Sequence, residues 1–252
     1  MDLNGRTAVV IGGTSGIGKA IALGLAKAGA DVVASSRSVD GVSETASEIR
    51  ALGRNTVEAT SDVQSRASLE DLCRRVLADF NSVDILVNAA GITKREPTLD
   101  VLDETWNNIL DVNLTGTLRS CQVFGRAMIH QKRGRIINIA SLSSYVAFLE
   151  VTAYCASKAA VASLTRSLAV EWAKHGVLVN AIAPGIFPTA LNSKIIDSPR
   201  GQELKMRTPM DRFGTTDELV STAVYLASDA TSFTTGQIIA VDGGFLASGV
   251  NQ

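Results

Sequence analysis

The sequence is poor in the residues that build metal sites, disulfide frameworks and nucleic-acid surfaces. Its 252 residues include three cysteines and two histidines, in no spacing typical of metal ligands. We therefore expect no metal site, and the odd, unpatterned cysteine count indicates a reducing compartment. Aromatic residues make up only 5% of the chain, and 24 Lys and Arg residues face 25 Asp and Glu residues. Nucleic acid is therefore not an expected partner.

Long apolar runs are also missing from the sequence. No uncharged apolar stretch reaches the ~18 residues that a membrane span needs, so no membrane association is expected. Residues 1–6 do not show a charged segment that leads into an apolar one, so we expect no signal peptide. A cytoplasmic protein is the resulting expectation.

What the sequence does contain is a regular alternation of short apolar runs with longer segments of helical periodicity. The apolar runs do not alternate with polar residues, which is typical of a parallel sheet covered by helices on both faces. We predict an α/β fold: one Rossmann domain over residues 1–252, with a doubly wound parallel sheet of seven strands. The predicted strands are 7–11, 31–35, 55–60, 84–88, 134–139, 177–183 and 237–241.

Helical periodicity and one irregular stretch complete this outline. Helices are predicted over 16–29, 42–52, 65–80, 105–131, 152–175 and 217–228, with an interruption of the fourth near residues 115 and 116. The stretch 184–212 holds four of the five prolines. Because so long a loop in a compact domain is usually functional, we predict that residues 185–212 form a lid over the substrate and cofactor.

A glycine-rich turn joins the first predicted strand to the first helix. Gly12 is expected to make the tight turn, Gly16 to let a pyrophosphate approach the backbone, and Gly18 to allow close helix–strand packing. The free N–H groups and the dipole of the helix start favour an anion. The sequence therefore predicts a dinucleotide-phosphate site formed by Gly12, Thr14, Ser15, Gly16, Ile17 and Gly18.

The end of the second predicted strand bears on the choice of nicotinamide cofactor. An acidic residue at this place accepts hydrogen bonds from the ribose 2′-OH and repels a 2′-phosphate. Segment 34–38 has no acid and carries Ser36 and Arg37, and a guanidinium can bind phosphate with two hydrogen bonds. We predict NADP(H) in preference to NAD(H); the alternative is a surface arginine in a serine-rich turn.

Tyr154 and Lys158 share one face near the start of the predicted helix 152–175. A tyrosine is a weak base at neutral pH, with a pKa of about 10, and a neighbouring lysine cation favours the phenolate. Ser141 follows the fifth predicted strand, at the sheet edge where ligands bind. Asn113 lies where a helix kink would turn its amide toward Lys158 through water. These residues predict proton transfer to or from a carbonyl or carbinol oxygen.

Together the motifs resemble those of the short-chain dehydrogenase/reductase family across essentially the full chain. Residues 11–18 match its TGxxxGxG motif with Ile11 in place of threonine, and residues 88–91 match NNAG with Ala89 at the second position. These departures affect the cofactor bed and leave the catalytic residues intact. The resemblance implies an NAD(P)-dependent oxidoreductase with the tetrad Asn113, Ser141, Tyr154 and Lys158. It implies further cofactor contacts from Asp62, Val63, Asn88, Ala89, Gly91, Tyr154, Lys158, Pro184, Gly185 and Thr189, the last to the carboxamide.

Charged residues near the predicted crevice bear on the substrate class. Lys94 and Arg95 lie in a predicted wall of the crevice, and cations there favour an anionic substrate such as a sugar acid; solvated loop charges are the alternative. Ser143 and Phe187 are further candidate substrate contacts. Segments 92–97, 180–189 and 241–248 are similar to those of the gluconate 5-dehydrogenase and 2-deoxy-gluconate 3-dehydrogenase branch of the family, which interconverts keto- and hydroxy-aldonates.

Several alternatives stay open. One is a 3-oxoacyl-carrier-protein reductase, and another is a reductase of apolar ketones with Phe148, Leu149, Phe187 and Leu191 in its pocket. A non-catalytic, cofactor-sensing protein of the same fold would predict a damaged tetrad. The family usually forms homotetramers, and helices 105–131 and 152–175 are apolar on more than one face. We therefore expect a homotetramer, with a dimer as the alternative.

Overall fold

One parallel sheet forms the centre of the structure, a computed structural model that describes residues 1–189 and 197–251. Across the sheet the strands lie in the order β2-β1-β3-β4-β5-β6, and each neighbouring pair is parallel. This is the α/β Rossmann-type fold that the sequence predicts. The strands are β1 (Thr7–Ile11), β2 (Asp31–Ser35), β3 (Ile85–Asn88), β4 (Gly134–Ile139), β5 (Val177–Pro184) and β6 (Ile238–Val241).

The described part of the sheet has six strands, one fewer than the sequence predicts. Residues 55–60 run beside β2 but form no strand. Two backbone hydrogen bonds attach this segment, from Val32 N–H to the Asn55 carbonyl (3.1 Å) and from Ser61 N–H to the Ser36 carbonyl (2.9 Å). Bonds at the two ends of a segment do not make the evenly spaced ladder of a parallel pair, so the β-rich composition of 55–60 is misleading.

Helices cover both faces of the sheet. Ala8 and Val10 of β1 belong to the core on one face, while Val9 and Ile11 point to the opposite core, as the two-residue period of a strand requires. Side chains of α1 and α8 complete the first core, and those of α3, α5 and α6 the second. The helices are α1 (Gly16–Lys27), α2 (Val39–Ala51), α3 (Arg66–Phe80), α4 (Asp103–Leu110), α5 (Gly116–Gln131), α6 (Thr152–Trp172), α7 (Pro199–Met206) and α8 (Val220–Ala227).

Two helical segments differ in detail from the sequence-based outline. The predicted helix 105–131 is divided into α4 and α5 by a π-helical turn, Asp111–Thr115, which confirms the expected interruption. The stretch 184–212 is not irregular throughout, because it contains α7. Ser198 accepts a hydrogen bond from Gly201 N–H, and Pro199 occupies the first helical position, which are both common ways to begin a helix.

The order of the strands determines where a ligand can bind. In the sheet, β2 lies on one side of β1, and β3 lies on the other. The connections that follow β1 and β3 therefore leave the sheet in opposite directions. In open α/β sheets such a switch point leaves a crevice at the carboxyl ends of the strands. Among residues 1–189 and 197–251, no helix combines the length and apolar character that a bilayer crossing needs.

Candidate active site

The turn between β1 and α1 passes very close to the end of β3. Gly12 has φ +76°, and a Cβ atom at this position would lie 2.6 Å from the Ala90 backbone nitrogen. A Cβ atom on Gly18 would lie 2.0 Å from the Gly12 carbonyl oxygen. Since both contacts exclude a side chain, glycine is required for the turn to close and for α1 to begin against it. This geometry fits the roles that the sequence predicts for the two glycines.

The first turn of α1 keeps its backbone donors available. Ser15 occupies the N-cap position but makes no side-chain cap hydrogen bond, and the first turn has no acidic residue. By contrast, Ser38 and Ser65 cap α2 and α3 through their hydroxyls. Uncapped N–H groups and the helix dipole form an anion site. The residues present therefore fit the pyrophosphate of a dinucleotide.

A cleft of about 510 Å³ extends from this turn along the carboxyl edge of the sheet. It brings together residues that lie far apart in the sequence, including most of the predicted cofactor contacts. Residues that the sequence interpretation did not single out also line it, such as Ser61, Gln64 and Ile92. The predicted site residues that line the cleft are Gly12, Ser15, Gly16, Ile17, Gly18, Ser36, Arg37, Asp62, Val63, Ala89, Gly91, Ser141, Tyr154, Lys158, Pro184, Gly185, Phe187 and Thr189.

Lys158 and Tyr154 meet at the far end of this cleft, beside the end of β4. The Lys158 amine donates a hydrogen bond to the carbonyl of Ile139 (2.7 Å), and Nζ lies 5.7 Å from the centre of the Tyr154 ring. Burial lowers the pKa of Lys158 to about 8. Burial also raises the pKa of Tyr154, and the hydrogen bond with Ser141 opposes that rise. Both side chains line the cleft.

Asn113 lies in the π-helical turn and is fully buried. Its amide oxygen accepts from Ile92 N–H (2.8 Å), and its amide nitrogen donates to the Ile92 carbonyl (2.9 Å) and to Ser157 Oγ (3.0 Å). A Cβ atom on Gly91 would lie 3.5 Å from Asn113 Oδ1 and 3.6 Å from Lys158 Nζ, so both groups flank Gly91. The water-mediated contact between Asn113 and Lys158 stays a prediction.

A chain of buried polar side chains supports this end of the sheet. Asn88 Nδ2 donates to Asn138 Oδ1 (2.9 Å), and Asn138 Nδ2 donates to Thr165 Oγ1 (2.9 Å), which links β3, β4 and α6. Asn88 thus faces the core rather than the cleft. Thr14 is likewise engaged, because its hydroxyl donates to Ser36 Oγ (2.7 Å). The sequence interpretation missed Asn138 and Thr165, although an asparagine inside the apolar run 134–139 is a signal for such a network.

Of the four predicted substrate residues, Phe187 alone is among the residues that line the cleft. Lys94 is ion-paired with Glu96 (2.6 Å) and Arg95 with Glu150 (2.7 Å), so each cation already holds a carboxylate. Ser143 is buried, and its N–H donates to Ser141 Oγ (3.1 Å).

The apolar residues considered for the pocket are distributed unevenly. Phe187 is buried and lines the cleft. Leu149 is exposed, and the Phe148 ring packs against Phe245 (6.1 Å between centroids). Leu191 and positions 190–196 of the predicted lid lie outside the described residues.

The parallel sheet, the glycine turn and the Ser141–Tyr154–Lys158 cluster define a nicotinamide-dependent oxidoreductase. Residues 12–246 match a family model described as enoyl-(acyl carrier protein) reductase. The chain belongs to the short-chain dehydrogenase/reductase family.

Proteins similar over nearly the whole chain act on sugar acids or polyols, according to their names. The 2-dehydro-3-deoxy-D-gluconate 5-dehydrogenase of Bacillus subtilis (strain 168) is 44% identical over 246 residues, 97% of this chain and 96% of the relative. The NAD-dependent glycerol dehydrogenase of Listeria innocua is 36% identical, over 97% and 95%. The crystal structure of a gluconate 5-dehydrogenase from Burkholderia cenocepacia J2315, in complex with NADP and tartrate, has a TM-score of 0.94 at 37% identity and covers 98% of this chain and 97% of its own.

The lowered pKa of Lys158 predicts a stability effect with a defined sign. Between pH 8 and 10.5 the unfolded chain binds a proton at Lys158 that the folded, cofactor-free protein has released, so the free energy of unfolding rises with pH. Relative to a Lys158→Met variant, the wild-type protein should gain about 1–3 kcal/mol across this window. Urea unfolding of both proteins at pH 7.5 and pH 10 measures the difference. Parallel pH dependence in the two proteins would show that Lys158 does not titrate in this range.

Proposed function

We propose that the protein transfers a hydride between NADP(H) and a carbinol or carbonyl carbon of a sugar acid, a keto- or hydroxy-aldonate. One observation carries this proposal: Ser141, Tyr154 and Lys158 line the same cleft as the open phosphate turn, with Lys158 Nζ 5.7 Å from the centre of the Tyr154 ring. Tyr154 as proton donor and Ser141 as oxygen-binding group would thereby lie beside a substrate carbon that is positioned next to a bound nicotinamide.

The catalytic side chains would handle the proton and the substrate oxygen. In reduction, the Tyr154 hydroxyl would donate its proton to the substrate oxygen, and in oxidation the phenolate would accept it. Ser141 would hold the same oxygen by a hydrogen bond, while Asn113 positions the Ile92 backbone beside the cleft. When Lys158 is protonated, its charge stabilises the phenolate form of Tyr154. The bound cofactor supplies or accepts the hydride.

The cofactor would lie along the carboxyl edge of the sheet. The N–H groups of residues 16–18 suit the pyrophosphate, and Ser36 with Arg37 suits a 2′-phosphate. Arg37 is exposed and lines the cleft. The remaining proposed contacts are Asp62 and Val63 at the adenine, Ala89 and Gly91 along the centre, Pro184 and Gly185 in the cofactor loop, and Thr189 at the carboxamide.

A sugar acid is favoured over the other substrate classes by the names of the chain's relatives. The Bacillus and Burkholderia proteins are both named for such acids. Lys94, Arg95, Ser143 and Phe187 are the proposed wall residues of the substrate site. A neutral polyol, as in the name of the Listeria relative, fits the same hydroxyl chemistry with weaker charge recognition.

We further propose a single domain that assembles as a cytoplasmic homotetramer. Large apolar side chains without cover support the assembly: Val170 is 84% exposed on α6, and Phe233 is fully exposed. An apolar helix face outside the core needs a partner surface. Unpaired Cys73, Cys121 and Cys155 are in keeping with a reducing compartment.

Replacement of Tyr154 by phenylalanine should remove proton transfer while it leaves the cleft intact. We expect turnover to fall by about 100-fold or more, which is typical for loss of a positioned acid, with an unchanged dissociation constant for NADPH. Steady-state kinetics and fluorescence titration measure the two quantities. Tyr225→Phe, on α8 away from the cleft, is the matched control and should be fully active. Near-normal turnover of Tyr154→Phe would refute the proposed role.

The preference for NADP should depend on the charge of Arg37. An Arg37→Asp variant replaces a phosphate-binding cation by a carboxylate, so the Kd for NADP should rise by about 100-fold and that for NAD by less than about 3-fold. Arg207→Asp makes the same change at the exposed residue that follows α7 and serves as the control. Equal losses of affinity for NADP and NAD in Arg37→Asp would contradict the proposed NADP site.

A further inference from the structure

Arg200 on α7 contacts the loop that leads from Ser141 to α6. It is the second residue of α7, and its Nη1 donates a hydrogen bond to the carbonyl of Leu149 (2.9 Å). Leu149 belongs to the connection 142–151, which runs from the Ser141 hydroxyl to the start of the helix that carries Tyr154. The Arg200 guanidinium therefore lies against the one loop that joins the two proposed oxygen-binding residues.

The carboxylates near Arg200 are already paired with other cations. The Glu150 carboxylate accepts a hydrogen bond from Arg95 Nε and is ion-paired with Arg95 Nη2, both at 2.7 Å. The Glu203 carboxylate is ion-paired with Arg207 (3.2 Å). Within the described residues Arg200 itself forms no ion pair, and positions 190–196 contain neither Asp nor Glu. Two guanidinium groups, those of Arg95 and Arg200, therefore interact with the single carboxylate of Glu150.

The position of Arg200 is unfavourable for a cation that has no anionic partner. Its side chain is partly buried. Burial is the main cause that lowers the pKa of the guanidinium, and the charge of Arg95 lowers it further. Glu150, Glu203 and Cys155 act in the opposite direction. The first turn of a helix also carries the positive end of the helix dipole, which repels a cation and attracts an anion. A carboxylate that arrives at this point would satisfy both the guanidinium and the helix end.

We propose that Arg200 binds the carboxylate of the substrate and so determines specificity for sugar acids over neutral polyols. This inference rests on the proposed function, because it requires an acidic substrate at the same site. Arg95 is engaged with Glu150, which has φ +66° and whose carbonyl accepts from Glu96 N–H (2.9 Å). The Arg95–Glu150 ion pair fixes the loop. Within the described part of the chain, Nε and Nη2 of Arg200, in contrast, remain available for two parallel hydrogen bonds to a carboxylate.

Substitutions of Arg200 test this assignment through the separation of KM and kcat. With D-gluconate and 2-dehydro-3-deoxy-D-gluconate as acids and D-sorbitol as the neutral polyol, Arg200→Met should raise KM for an acid by about 10–100-fold. This range is the affinity change expected from a lost charge-assisted pair. The kcat for the acid and the KM for sorbitol should change by less than about 3-fold. Arg200→Lys should recover part of the affinity for the acid.

Two controls separate the possible outcomes. Arg50→Met removes an exposed guanidinium from α2, away from the cleft, and should leave every constant unchanged. The NADPH Kd of Arg200→Met reports whether the variant is folded. If wild type turns over the acids and Arg200→Met retains their KM, or raises KM for acid and polyol equally, the Arg200 assignment is wrong while the proposed function stands. If wild type turns over sorbitol and neither acid, the sugar-acid function fails and the Arg200 assignment fails with it.

Discussion

The hydrogen bond from the Lys158 amine to the Ile139 carbonyl (2.7 Å) is the interaction on which the candidate site depends. Ile139 ends β4, and Lys158 lies one turn after Tyr154 on α6, so this bond holds the catalytic helix against the edge of the sheet. Ser141 follows Ile139 closely in the chain and is thereby brought to the Tyr154 hydroxyl. A buried amine with a pKa of about 8 is destabilising when charged, which is acceptable where its charge serves a reaction.

The polar groups buried around this bond divide into structural and chemical sets. Asn88, Asn138 and Thr165 bond one another within the core, and Asn113 fixes the Ile92 backbone from its π-helical turn. Such turns often occur at functional sites because they aim one side chain away from the regular helical direction. These structural groups leave Tyr154, Ser141 and the first turn of α1 to face the cleft.

The sequence was sufficient for the fold and for most of the candidate site because those features depend on local patterns. Apolar runs predict the strands. The glycine spacing predicts the turn, in which Gly12 and Gly18 make close backbone contacts. The error at 55–60 arose because the β-rich composition did not reveal that the backbone of this segment forms no continuous ladder with β2. The pairing of Arg95 with Glu150 and the hydrogen bond from Arg200 to the Leu149 carbonyl depend on contacts between distant segments, which no local pattern encodes.

The central claim is that the cleft transfers a hydride to a carbonyl carbon of a sugar acid. Its most direct test is to incubate the enzyme with keto-aldonates and NADPH that carries deuterium at the transferred position, and to analyse the product by NMR. The account predicts one deuterium on the new carbinol carbon of a hydroxy-aldonate for each NADPH oxidised. NADPH oxidation that leaves the acid unlabelled, or no reaction with acids while neutral polyols react with NADP⁺, would contradict it.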